Sequence, residues 1–193
     1  MSNAIEIEAK ALVSEEDFAK FVNEFKGYPS YTQTNYYLDN DEGIMAKEGF
    51  ALRIREKGEY YEMTLKTPLS QGLLEKNCTW DSKTFYDFTD KHIFPQGDIH
   101  RFLDMLEINP ESLQIKAKLT TKRIDIPYLG GKLSLDENTY YDKKDYEIEL
   151  EYNNIGDATR LLEELFNKLG VPFAISKKSK VRRAREEANR IGK

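Results

Sequence analysis

Cysteine is nearly absent: Cys78 is the only one in the chain, so no internal disulfide can form and the fold must rest on its core. A single thiol suits a reducing compartment, and the expected location is the cytoplasm. Histidine is almost as scarce. His92 and His100 have no second ligand at metal-binding spacing, which argues against a zinc centre. No apolar run approaches the roughly 20 residues that span a bilayer, and the first residues lack the basic and apolar regions of a secretory signal. No Gly-x-x-x-x-Gly-Lys-Ser/Thr loop occurs, so P-loop chemistry is excluded, and Gly130-Gly131-Lys132 reads as a hairpin turn. Neither charge sign dominates. Lys+Arg 29 against Asp+Glu 34 gives −5, too mild for general attraction to nucleic acid or anionic lipid. The basic run Lys177–Arg185 lacks interleaved aromatics and meets Glu186 and Glu187, so no nucleic-acid patch is expected there. There is no repeat and no linker, and a single domain over 1–193 is expected.

What is abundant is charge, at 33% of residues, and it lies inside strand patterns, where Glu and Lys are ordinarily depleted. Glu6-Ile7-Glu8-Ala9-Lys10 alternates charged and apolar residues, as does Glu147-Ile148-Glu149-Leu150-Glu151. Period-two alternation marks strands with two different faces.

Further strands are expected over 33–39, 49–57, 60–67, 72–80, 115–128 and 132–138, with the acidic strand over 145–153. Helices are expected after a Ser14 cap, as two short pieces within 84–108, from an Asp157 cap to Gly170, and from Ser179. About eight strands result, in two groups of antiparallel hairpins.

The charged faces sort by strand. Glu6, Glu8 and Lys10 share one, Arg53 and Arg55 another, and Lys66, Glu75, Arg123, Asp136 and the row Glu147, Glu149, Glu151 lie on others. The opposite faces carry Leu52, Ile54, Met63, Leu65, Leu133, Leu135, Ile148 and Leu150. One solvated sheet face is the plain alternative. Sorting by sign favours a curled or closed sheet with helices outside and a charged lumen. Carboxylates suit Mg²⁺ or Mn²⁺, while Arg forks and Lys ammonium groups suit phosphate oxygens. Both together suit a polyphosphate. Rows of like charge also predict raised pKa values for several glutamates.

These motifs, in this order, resemble the CYTH superfamily, the triphosphate tunnel metalloenzymes, which includes thiamine triphosphatases, inorganic tripolyphosphatases, class IV adenylate cyclases and fungal RNA triphosphatases. Glu6-Ile7-Glu8-Ala9-Lys10 is similar to the family's Glu-x-Glu-x-Lys strand. Arg53-Ile54-Arg55, Met63-Thr64-Leu65-Lys66, Lys122-Arg123, Leu135–Tyr140, Glu147–Glu151 and Ser176–Lys180 fall where the family places its other charged segments. Gly72–Trp80 departs most from the pattern. The resemblance implies an α+β fold, an eight-stranded antiparallel β-barrel tunnel. It implies Glu6, Glu8, Glu147 and Glu149 as metal ligands, with Asp136, Glu151 and Glu75 near the metals. Lys10, Arg53, Arg55, Lys66 and Arg123 would grip the triphosphate, completed by Lys178 or Lys180. Glu6, Glu8, Lys10 and Glu149 are the expected catalytic set, and Mg²⁺ or Mn²⁺ the expected cofactor.

The expected activity is metal-dependent hydrolysis of a small-molecule triphosphate at its terminal phosphoanhydride, by a monomer or homodimer with no nucleic-acid or membrane partner. Two alternatives stay open. One is a class IV-type cyclase making cyclic AMP from ATP; the other is a non-catalytic polyphosphate binder.

Overall fold

The computed structural model describes residues 2–70 and 72–192. Along the chain lie β1 (Ser2–Glu6), β2 (Glu8–Val13), α1 (Glu15–Glu24), β3 (Ser30–Asp39), α2 (Ile44–Lys47), β4 (Ala51–Lys57), β5 (Tyr60–Pro68) and β6 (Leu73–Trp80). Then come α3 (Ser82–Lys91), α4 (Asp98–Met105), β7 (Gln114–Tyr128), β8 (Gly131–Tyr140), β9 (Lys143–Glu151), α5 (Ile155–Lys168) and α6 (Lys180–Arg190). The strands form one sheet in the order β1-β6-β5-β4-β3-β7-β8-β9-β2. Its two ends, β1 and β2, are separated in the chain by Ile7 alone, which is barrel connectivity. Among the described residues nine strands stand where about eight were expected, because the N-terminal strand changes neighbours at Ile7: β1 lies beside β6, and β2 beside β9. Among the described residues, no helix is long and apolar enough to cross a membrane.

The chain clusters into two compact units. The first comprises Met1–Ile5, Thr34–Lys118 and Ala184–Lys193; the second comprises Glu6–Gln33 and Leu119–Arg183.

In the second unit the alternate apolar residues Ala9, Ala11, Leu133, Leu135, Ile148 and Leu150 pack with Phe18 and Phe21 of α1 and Leu162, Leu165 and Phe166 of α5. Such burial is worth roughly 1.5–3 kcal/mol for each large side chain and fixes which strand face meets the helices. Ser14 caps α1 by accepting from the Asp17 amide at 3.1 Å, as expected. The α5 cap is Asn154, accepting from the Asp157 amide at 2.8 Å, so Asp157 lies inside the first turn rather than capping it. The β7–β8 turn is also displaced by one residue. Leu129 (φ 49°) and Gly130 (φ 85°) form it, whereas Gly131 opens β8. A Cβ on Gly131 would lie 2.5 Å from the Glu151 carbonyl oxygen, a close approach only glycine permits.

In the first unit Leu52, Ile54, Met63 and Leu65 pack with Phe85 and Phe88 of α3 and Ile99 and Leu103 of α4. The short α2 was not foreseen. The buried Asp39 carboxylate creates it by accepting from the amides of Asn40 and Met45, both at 2.9 Å, and of Ala46 at 3.2 Å. Each unit therefore has one strand face closed by helices and one face that carries charge.

Candidate functional site

Register sets the polar face of the second unit. Arg123 lies opposite Asp136, and Asp136 opposite Glu147. Lys10 lies opposite Glu149, and Glu8 opposite Glu151. Ile148, Leu150 and Leu135 point into the helix-packed core, so alternation drives Glu147, Glu149 and Asp136 to the other side. Asp136, Glu147 and Glu149 each offer an oxygen within 4.8 Å of the others, and all three are buried.

Three like charges at that spacing require cations, and the chain supplies them. Arg123 donates to both oxygens of Asp136, at 2.6 and 2.5 Å, and to Glu149 at 2.7 Å. Ser179 starts α6, its hydroxyl accepting from the Arg182 amide at 3.3 Å, and thereby sets Lys180 in the first turn. The Lys180 ammonium lies 2.8 Å from Asp136, 2.5 Å from Glu147 and 2.5 Å from Glu149. One turn later, Arg183 donates to both oxygens of Glu147, at 3.1 and 3.0 Å, and pairs with Asp145 at 2.9 Å. Lys10 pairs with Glu8.

The titration behaviour follows. Burial pushes Glu149 upward, but Lys180, Arg123 and Lys10 outweigh it and hold the carboxyl well below the usual range. Burial pushes Lys180 downward, but Asp136, Glu149 and Glu147 overcome it and hold the ammonium well above its ordinary value. Burial likewise opposes the charge on Lys10, and Glu8, Glu149 and Glu147 more than offset it. Glu149 and Glu75 thus shift down, opposite to the rise expected from rows of like charge, because each has a cation against it.

The polar face of the first unit is built differently. Arg55 donates from Nε to Asn35 at 2.8 Å, and Arg53 from Nη2 to Thr64 at 3.1 Å. The Arg53 Nε is buried with no hydrogen-bond partner among the described residues. Lys66 lies opposite Glu75 and pairs with it at 2.7 Å. Burial would raise Glu75, but Lys66 and then Arg53 bring it below its usual value.

The structure brings together Lys10, Arg123, Asp136, Glu147, Glu149 and Lys180 of the expected residues. Glu6 is half-buried at the end of β1. Glu151 is partly exposed and pairs with Lys132 at 2.5 Å. Glu75 belongs to the first unit, paired with Lys66, and is not among the three converging carboxylates. Of the two C-terminal lysines, Lys178 is exposed and Lys180 enters the acidic cluster. Sequence reading missed Arg183 and Asp145. Asp145 continues the alternation of Glu147 and Glu149, and Arg183 stands three residues after Lys180 on the same helix, so both signals were present.

The cluster fits a divalent metal. Its donors are all carboxylate oxygens, the class Mg²⁺ and Mn²⁺ prefer, and they already surround a positive charge.

The CYTH domain model matches residues 4–184. A Bacillus subtilis (strain 168) protein named "Putative triphosphatase YjbK" is 31% identical over 191 residues, covering 97% of each chain. The crystal structure of a Bacillus halodurans protein described as "a putative adenylate cyclase" is 33% identical with a TM-score of 0.87, covering 95% of this chain and 98% of that one. A Hippeastrum protein described as a "putative adenylyl cyclase" with "a dominant triphophatase activity" shares the fold at TM-score 0.80 and 23% identity, over 95% and 96% of the two chains. The mixed α+β, antiparallel-barrel fold is shared with the two solved structures, and the chain belongs to the CYTH family.

Proposed function

We propose that the protein is a divalent-metal-dependent hydrolase that cuts the terminal phosphoanhydride of a triphosphate, inorganic tripolyphosphate being the simplest substrate. The observation that carries this reading is the buried trio Asp136, Glu147 and Glu149, arranged around a cation position. The likeness to YjbK supports the reaction class. A match over 4–184 includes residues of both units and supports one functional domain over 1–193.

Asp136, Glu147 and Glu149 would hold Mg²⁺ or Mn²⁺, with Glu6, Glu8 and Glu151 completing the acidic set. A bound divalent ion supplies charge neutralisation at phosphate oxygens. The chain's own residues do the rest. Arg123 fixes the orientation of Asp136 and Glu149 through three hydrogen bonds. Arg53, Arg55, Lys66 and Lys10 would neutralise phosphate charge, since guanidinium and ammonium groups pair with phosphate oxygens. Phosphoryl transfer asks chiefly for positioning and charge stabilisation, and these residue types supply both.

A second reading, a cyclase in which the ribose 3′-OH of ATP attacks the α-phosphate, is favoured by the Bacillus halodurans relative, described as "a putative adenylate cyclase". One experiment separates them. Purified protein is incubated with tripolyphosphate, ATP or thiamine triphosphate, with Mg²⁺, Mn²⁺ or chelator, and the products are identified. Orthophosphate released only with metal is expected. Cyclic AMP and pyrophosphate from ATP would replace the hydrolase reading with the cyclase.

A further inference from the structure

Lys180 occupies an unusual position for a lysine. It stands in the first turn of α6, where the helix dipole disfavours a cation, yet its ammonium is among the most enclosed charges of the second unit. Its Nζ lies within 2.8 Å of one oxygen from each of Asp136, Glu147 and Glu149. Those are the three carboxylates whose oxygens lie within 4.8 Å of one another. A space that narrow holds one cation. Mg²⁺ binds oxygen at about 2.0–2.1 Å, so a divalent ion meeting all three carboxylates and the Lys180 ammonium exclude each other. Arg123 and Arg183 do not conflict in this way. Each grips two acids of the row by fork-like hydrogen bonds and holds the carboxylates in place.

We propose that Lys180 is an exchangeable internal cation. It fills the metal position while the protein is metal-free, leaves when a divalent ion enters, and its freed ammonium is then delivered to the phosphate of the substrate. This rests on the metal-site reading given above. The exchange makes the metal-free site electrically complete and lowers its intrinsic affinity for metal. It also couples metal entry to a displacement of the first turn of α6.

Titration of Mn²⁺ alone, followed by the electron paramagnetic resonance of free Mn²⁺, tests the exchange on the intact chain. Lys180→Met leaves the three carboxylates without their competitor and is expected to bind Mn²⁺ at least about tenfold more tightly than the native protein. Equal or weaker binding overturns the exchange while native Mn²⁺ binding leaves the metal site standing. No Mn²⁺ binding by either protein overturns both. Lys180→Met exposes the fold to unbalanced acids, so a second measurement uses the native protein. Under reductive methylation read by peptide mass spectrometry, Lys180 is expected to be protected without metal and labelled at saturating Mg²⁺. Protection unchanged by Mg²⁺ overturns the proposal.

Discussion

The two units pack their strands in the same way and differ in the polar groups those strands carry. In the first, Arg53 donates to Thr64 and Arg55 to Asn35, and Lys66 pairs with Glu75, a carboxyl that Arg53 also draws down. In the second, three buried acids hold Lys180 among them and are braced by Arg123 and Arg183. Both faces arise from one rule, alternation along strands whose other side is closed by helices. What differs is who satisfies the charge. In the first unit Thr64 orients Arg53, whose buried Nε has no hydrogen-bond partner among the described residues. The acids of the second unit are matched ion by ion, so that face is arranged around a cation. On the proposed function, anion binding falls to the first unit and metal binding to the second.

The largest effect that could break this division is expected at Glu149. Glu149→Gln removes a charged ligand oxygen and should reduce Mg²⁺-dependent phosphate release from tripolyphosphate by more than about 100-fold, since metal ions supply several kcal/mol of charge stabilisation. Phosphate-release assays at saturating substrate check it. Next comes stability. Arg183→Met leaves Glu147 and Asp145 without a principal partner and should cost about 3–5 kcal/mol in urea unfolding, the range for a broken buried ion pair. In the first unit Arg53→Ala should weaken tripolyphosphate binding by about 1.5–3 kcal/mol, the worth of a charged hydrogen bond in a desolvated site. Calorimetric titration reads that loss, which should come without a change in fold by circular dichroism.

A smaller effect is expected in the pH dependence. Glu149 is held below its ordinary value in the folded state, so as pH falls the unfolded chain takes up the proton first. The stabilisation is therefore complete above about pH 4.5 and is lost as pH drops toward the depressed folded value, with a slope of at most about 1.4 kcal/mol per pH unit for one proton. Urea midpoints between pH 5 and 3 should fall more steeply for the native protein than for Glu149→Gln. Smallest of all is Lys132→Ala. Its pair with Glu151 is half-exposed, and unfolding should change by less than about 0.5 kcal/mol.

Much of this was legible in the sequence. Ile148 and Leu150 against Glu147 and Glu149 announced a two-faced strand, and the positions of Arg53, Arg55, Lys66 and Arg123 followed from the same period. Long-range partners were not legible. No local pattern says that Lys180 rather than Lys178 reaches Asp136, because helix phase at the α6 cap decides it. The downward shift of Glu149 was hidden for the same reason: strand alternation reveals the repelling acids, while cations that reverse the shift come from α6 and β7. The break at Ile7 was hidden too, since residues on both sides of it alternate without interruption. Turn and cap positions slipped by a few residues where two candidates competed, as at Asn154 with Asp157 and at Leu129 with Gly131.

The division between the faces is tested most directly by Mn²⁺ binding without phosphate, measured side by side in Arg53→Ala and Glu149→Gln. The account predicts that Arg53→Ala keeps native Mn²⁺ affinity and that Glu149→Gln loses it by at least about tenfold, about 1.4 kcal/mol. Equal losses in the two variants, or native affinity in Glu149→Gln, would contradict it.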